Sequence, residues 1–340
     1  MQHKVALELS GQLPPTGAPA PANGPIAGAS PLQFLQYGDF RAEVAPEIGG
    51  SLASLFSVHP ATGEFRHWLR PASAKALETT DPLLMSSFPL VPWANRIRNG
   101  HFLFEGRSIQ LRAHQGLGPH AIHGLGWTTA WDIAARSNAH INLRMAYDGS
   151  GPWPFAFAAT QSYTLDEQGL RIDMAITNTG TERMPADLGH HPYLPHDKSG
   201  AGTRVLAQVE GMWESDAELL PMRVVPKHPT VQALQKGMLL RDFNLDNNFT
   251  GFGRQAEVQW PNGDRLRMES TAPMDYFVLY CPRDQDIFCM EPVSNCTDWF
   301  NLRHSAPDTA ERDAGGNVLE PGQTLRGSLR LQPLPLEPAR

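Results

Sequence analysis

The chain has 340 residues, a formal net charge of −7 and only 19% charged residues, with no run of lysine or arginine. That balance argues against a nucleic-acid partner, and no apolar run approaches the ~18 residues of a membrane span. Prolines and glycines number 30 each, a density of turn formers that favours many short strands over long helices.

The first 15 residues, MQHKVALELSGQLPP, lack the long apolar core and small-residue cleavage site of a secretory leader. The expected location is therefore the cytoplasm. The three cysteines, Cys281, Cys289 and Cys296, are odd in number and form no CxxC pair. They read as reduced thiols, not as a disulfide framework or a zinc ribbon.

Residues 1–31 are rich in Pro, Ala and Gly without apolar periodicity and read as a flexible arm. Residues 32–340 show no second linker and no internal repeat, so they read as one domain. Around ASAKALETT, within residues 71–84, a short helix is expected. Residues 91–106, VPWANRIRNGHFLFEG, read as strand, turn and strand, with Asn99-Gly100 as a hairpin turn because both residues tolerate positive φ.

Further along, Ile141, Leu143, Met145 and Tyr147 alternate with polar residues. The same period of two continues through Phe155 to Leu165 and, after a turn at residues 166–169, through Leu170 to Ile176. It marks strands with one face on a core. A hairpin is expected over residues 258–268, and a closing strand near Leu325, Leu329 and Leu331. YFVLY and IFCME are apolar on both faces, so they belong to the middle of a layered structure, with Glu291 at the end of the second. Runs of strands at short spacing predict an all-β protein, a sandwich or barrel.

Several residues could carry chemistry. Glu291 precedes Pro292 and is biased to the extended region; it reads either as a strand-end carboxylate or as a general base whose pKa burial raises. His190 and His191 precede Pro192-Tyr193, and neighbouring strand residues face opposite ways, so at most one of them enters a given cleft. Imidazole titrates near neutral pH and suits a proton donor. Asn95-Arg96 supplies an amide and a fork of donors, and Asp246 in LDNNF offers a carboxylate for ligand hydroxyls. His123 precedes Gly124, where a ligand or another backbone could approach closely. His114, His120 and His123 raise the alternative of a metal site, without helical ligand spacing to support it. Trp93, Trp127, Trp153 and Tyr193 could present flat faces to a sugar ring or could be core.

Four blocks in order, ANRIRNGHFLFEG, HAIHG, GHHPYL and FCMEPVSNCTDWFN, together with the intervening LDNNF, make residues 35 to 331 resemble the aldose 1-epimerase (galactose mutarotase) family. The resemblance implies a large antiparallel β-sandwich, or supersandwich, that interconverts the α and β anomers of an aldose. It implies Glu291 as base, His191 as acid, and His123, Arg96 and Asp246, with Asn95 beside them, as sugar-contacting groups. It implies a small-molecule sugar as partner, and neither a metal nor an organic cofactor. Monomer and homodimer both stay open. Leu125, Pro192, Leu194 and Val293 depart from the best-known galactose enzymes. A hexose-6-phosphate 1-epimerase, with Arg98, Arg107 and Arg112 as phosphate contacts, is thus one alternative. A non-catalytic sugar-binding protein on the same fold is another. For the enzyme, the acid–base pair predicts a rate that falls on both sides of a neutral optimum.

Overall fold

A computed structural model describes residues 32–305 and 314–334; the N-terminal arm expected over residues 1–31 lies outside them. Three sheets carry most of the strands, and every pairing within them is antiparallel. Residues 33–67 form a four-stranded sheet in sequential order. A nine-stranded sheet has Gly169–Asn178 near its middle, between Phe157–Asp166 and the closing strand Thr324–Leu334. An eight-stranded sheet places Ile287–Val293 between Tyr276–Cys281 and Gly189–His190, with Tyr193–Pro195 also paired to it. The architecture is an antiparallel β-sandwich. No helix among the described residues is long and apolar enough to cross a membrane.

The alternation in sequence becomes the two faces of the nine-stranded sheet. Ile141, Leu143 and Met145 are buried while Asn142 and Arg144 are not, and Ile141 lies opposite Tyr163. The turn after Phe157–Asp166 closes with Asp166 opposite Gly169, which adopts φ 108°, while Asp166 Oδ1 accepts from the Gln168 N–H at 2.9 Å. The two sheets meet across side chains that the pattern points inward. Tyr163 OH donates to Gly50 O at 2.8 Å and lies 3.3 Å from His190 Nε2, tying the nine-stranded sheet to the strand Gly189–His190.

Tyr276–Cys281 and Ile287–Val293 fill the centre of the eight-stranded sheet, and every residue of the second is buried. One expectation changes here. Glu291 does not end its strand: the ladder continues, with Glu291 opposite Val278 and Pro292 opposite Phe277. Proline's φ and the extended bias it imposes on its predecessor both suit a strand, and only one donor is lost. The expected helix is present as Ala74–Thr79, capped by Ser73 Oγ accepting from the Ala76 N–H at 3.2 Å.

The expected hairpin at Asn99-Gly100 is also corrected. Both residues take positive φ, 51° and 65°, but Arg96–Ile97 pairs with Ala121–Ile122, and His101–Phe104 pairs with Arg107–Gln110. The left-handed pair redirects the chain between two separate ladders, and the hairpin turn falls instead at Glu105-Gly106. The local φ preference is legible in sequence, whereas the choice of partner depends on residues further on.

Gly124 shows how closely the backbone is drawn together near His123. It has φ 76° and forms a parallel bridge with Val91, and a Cβ built on it would lie 2.1 Å from the Val91 carbonyl oxygen. Gly124→Ala is expected to cost about 2 kcal/mol or more, from left-handed strain plus a backbone clash. A thermal melt indistinguishable from wild type would show that this approach is not a constraint.

Candidate active site

The buried strand Ile287–Val293 carries Cys289 and Glu291 on one face, two residues apart. The short link between Gly189–His190 and Tyr193–Pro195, both ladder partners of this strand, sets His191 against them. His191 is fastened by its own N–H, which donates to Phe88 O at 3.0 Å. Its ring stacks between Phe88 and Tyr193, each with a centroid separation of 4.7 Å. The result is a contact between residues one hundred positions apart, with His191 Nε2 3.3 Å from Glu291 Oε1. His190 faces the other way, bonded to Ser87 Oγ and Tyr163 OH in the core between the sheets.

The pair is almost dry. Glu291 is 2% exposed and His191 7%. Among the described residues, Glu291 Oε2 and His191 Nδ1 have no hydrogen-bond partner. Burial pushes the Glu291 carboxyl well above its ordinary pKa of 4.5; the Asp246 charge adds to the rise and Arg96 opposes it. Burial likewise lowers His191 to about 3, against its own backbone hydrogen bond and helped by the charges of Arg70 and Arg96. Both shifts disfavour charge. A carboxylic acid beside a neutral imidazole and a carboxylate beside an imidazolium contain the same number of protons. The pair therefore holds one mobile proton, which burial places on the carboxyl side.

Arg96 and Asp246 form a second pair at the same site. Arg96 Nη2 donates to Asp246 Oδ2 at 3.2 Å, with 17% of each side chain exposed. Arg96 lies on Arg96–Ile97, while Asp246 lies on Leu245–Thr250, opposite Tyr280. Asn95 joins them: with φ 59°, it turns Oδ1 back to accept from the Arg96 N–H at 2.8 Å and from Nη1 at 3.3 Å.

The Asn95 N–H donates to His123 Nδ1 at 3.3 Å, and the His123 N–H returns to Asn95 O at 3.1 Å. His123 Nδ1 is thus an acceptor, and the neutral ring carries its proton on Nε2. Burial, first of all, and the neighbouring His191 keep His123 well below an ordinary imidazole pKa. Asp246 and Tyr280 also line an open hollow of about 560 Å³, with Asn244 and Asn247 on its wall. A larger hollow of about 730 Å³, around Phe65, Arg66 and Trp68, shares no lining residue with this site.

Other candidates separate from the site. His114 packs on Trp127 with ring centroids 4.7 Å apart, His120 Nδ1 accepts from the Asn99 N–H at 3.0 Å, and His123 Nδ1 is engaged as described. Among the described residues these three form no metal-type cluster; the group that does is His191, Cys289 and Glu291. Trp93, Trp127 and Trp153 are core, with Trp93 against Trp153 and Trp127 against Phe88. The close approach permitted by Gly124 is made by the Val91 backbone. Arg98 faces Asp216 at 3.7 Å and Asp298 at 3.4 Å, Arg107 meets Glu182 at 2.5 Å, and Arg112 is exposed. Leu194 and Val293 are fully buried, opposite Phe288 and Tyr276.

Sequence reasoning missed Phe88 and Arg70. Phe88 stacks on His191. Arg70 lies 3.9 Å over the Tyr193 ring and donates to Leu83 O and Met85 O.

A buried carboxyl carries a measurable cost. A group whose folded pKa exceeds 4.5 favours folding below that pH, and this contribution is lost as the pH rises toward the folded value. Glu291→Gln is therefore expected to melt progressively higher relative to wild type as the pH is raised from 4.5 through neutral. A difference in melting temperature independent of pH would mean that Glu291 ionises without penalty.

The chain is similar to known proteins along most of its length. The sequence profile described as Aldose 1-epimerase matches residues 35–332. The uncharacterised protein YphB of Escherichia coli K12 is 28% identical over 274 residues, covering 78% of this chain and 88% of that protein. A solved structure from Escherichia coli K12, provisionally described as an aldose 1-epimerase, superposes with a TM-score of 0.76 at 25% identity, covering 89% of this chain and 98% of that one. A galactose mutarotase-like protein from Clostridium acetobutylicum shares the fold, with a TM-score of 0.75 at 18% identity over 88% of this chain and 94% of its own. With the profile match spanning nearly all of the described sandwich, the chain belongs to the aldose 1-epimerase family.

Proposed function

We propose that this protein is an aldose 1-epimerase that opens and recloses the ring of a free aldose by proton transfers through Glu291 and His191. The observation that carries the proposal is the 3.3 Å contact between the two groups inside a nearly dry site. The ring oxygen O5 and the anomeric oxygen O1 are bonded to the same carbon, so groups exchanging protons with them must stand side by side. Arg96, Asp246, Asn95 and the Nε2–H of His123 supply the surrounding donors and acceptors for hydroxyls, and the lining of the adjoining hollow extends them.

In the reactive state the shared proton lies on His191. Glu291 removes the proton from the anomeric hydroxyl while His191 delivers its proton to O5. The C1–O5 bond breaks, and the O1–C1 bond becomes a carbonyl. Rotation about C1–C2 presents the other face, and reversal of both transfers closes the ring as the opposite anomer. Ring opening leaves Glu291 protonated and His191 neutral, the distribution that burial favours. Desolvation thus stabilises the pair most when the sugar is open, which is differential stabilisation along the reaction. Each positioned proton transfer typically contributes ~10²–10⁴-fold, so two acting together supply roughly 5–11 kcal/mol.

Glu291→Gln and His191→Asn are each expected to lower the rate of anomer exchange about 10²-fold or more, read by polarimetry on freshly dissolved α-hexose. Full activity in either variant would remove that residue from the chemistry.

The pH profile differs from the neutral bell that the residue types alone suggest. The single-proton state begins above the lowered His191 value of about 3 and ends only above the raised Glu291 value. The expected kcat/KM profile is therefore broad, with its acid limb far below 6.5 and its loss on the alkaline side. An acid limb centred near 6.5 would contradict it.

A further inference from the structure

Cys289 takes no part in the reaction just described, yet it shares the face of the strand that carries Glu291. One ligand atom each from His191, Cys289 and Glu291 lies within 4.8 Å of the others. All three residues are buried, at 7%, 0% and 2% exposure. Two of them also carry a buried polar atom with no partner among the described residues, Glu291 Oε2 and His191 Nδ1. A sulfur, an imidazole nitrogen and a carboxylate oxygen form the mixed donor set that Zn²⁺ and similar thiophilic cations prefer, with bonds of ~2.3 Å to sulfur and ~2.0–2.2 Å to nitrogen and oxygen.

We infer that His191, Cys289 and Glu291 form a three-ligand site for a thiophilic divalent cation, and that occupancy inhibits the enzyme. The inference rests on the reading of Glu291 and His191 as the acid–base pair. A bound cation takes the lone pairs through which both proton transfers run, so ring opening stops. The thiolate and carboxylate together balance the charge of the ion, and the protons of the thiol and of the Glu291 carboxyl both pass to water as the ion binds. Arg96 does not leave an uncompensated positive charge beside the ion, because it is paired with Asp246. Asp246, whose charge acts on both Glu291 and Cys289, also lines the open hollow. Cys281 provides an internal control: it sits 4.0 Å from His196 Nδ1, on the neighbouring strand, with no carboxylate in a three-member cluster.

The test uses EDTA-treated full-length protein titrated with zinc chloride, and separately with cobalt chloride. Wild type is expected to lose anomer exchange with one equivalent of Zn²⁺ and to recover it on adding EDTA. Co²⁺ should produce a thiolate-to-cobalt charge-transfer band with the visible bands of tetrahedral coordination. Cys289→Ala and Cys289→Ser should keep their basal rate, lose the Co²⁺ charge-transfer band and need at least tenfold more Zn²⁺ for inhibition. Cys281→Ala should respond like wild type. Circular dichroism identifies a misfolded variant, and the second Cys289 substitution then decides. Unchanged Zn²⁺ sensitivity in the Cys289 variants, activation by Zn²⁺, or no charge-transfer band in wild type would overturn the inference. The Co²⁺ reading needs no substrate: a band in a protein without anomer exchange would keep the metal site and instead remove the proposed activity.

Discussion

A carboxyl and an imidazole held in contact away from water are the constraint around which this molecule is arranged. Isolating an unpaired charge in an apolar setting is costly, and proteins escape by shifting pKa values or pairing the group. Glu291 and His191 use both routes. Their 3.3 Å contact lets one proton serve two groups, and burial sets its resting place. The same dryness that raises the carboxyl lowers the imidazole.

The sandwich supplies that environment by layering. Ile287–Val293 is central in its sheet and buried along its whole length. Several of the residues set around Glu291, including Phe88, Asn95, His123 and His191, come from loops between strands. Those loops are short and heavily tied: His191 by its N–H to Phe88 and by stacking between Phe88 and Tyr193, Tyr193 by Arg70 above it, and His123 by a two-way bond with Asn95. Left-handed φ at Asn95, His123 and Gly124 brings these loop residues together in a way that regular strands could not. Strain of this kind gathers where function needs a fixed geometry.

Much of the fold was legible in sequence because its information is local. Period-two alternation located the strands from His140 to Asn178, and doubly apolar runs identified the pair at the centre of the eight-stranded sheet. What sequence could not supply was pairing between distant segments. Asn99-Gly100 had the right backbone preference but the wrong partners, because the ladder to Ala121–Ile122 depends on residues twenty positions away. Glu291 looked like a strand end because Pro292 follows it, yet a proline that forfeits one donor need not end a ladder. Of the site itself, the ordered blocks pointed to Glu291, His191, Arg96, Asp246, His123 and Asn95. Phe88 and Arg70 were not visible, since an isolated aromatic or arginine has no local signature of what it packs against. The three clustered histidines were a misleading signal: closeness in sequence did not become convergence in space, and the converging donor set instead joins residues about a hundred positions apart.

The central claim is that His191 and Glu291 share one proton that burial keeps off the imidazole. The most direct measurement is ¹⁵N NMR of the His191 ring, assigned by comparison with His191→Asn and followed as the pH is lowered through the ordinary imidazole value of 6.5. The account predicts a ring that stays neutral well below that value, with titration displaced toward about 3. An imidazole that becomes fully protonated with a midpoint near 6.5 would contradict it.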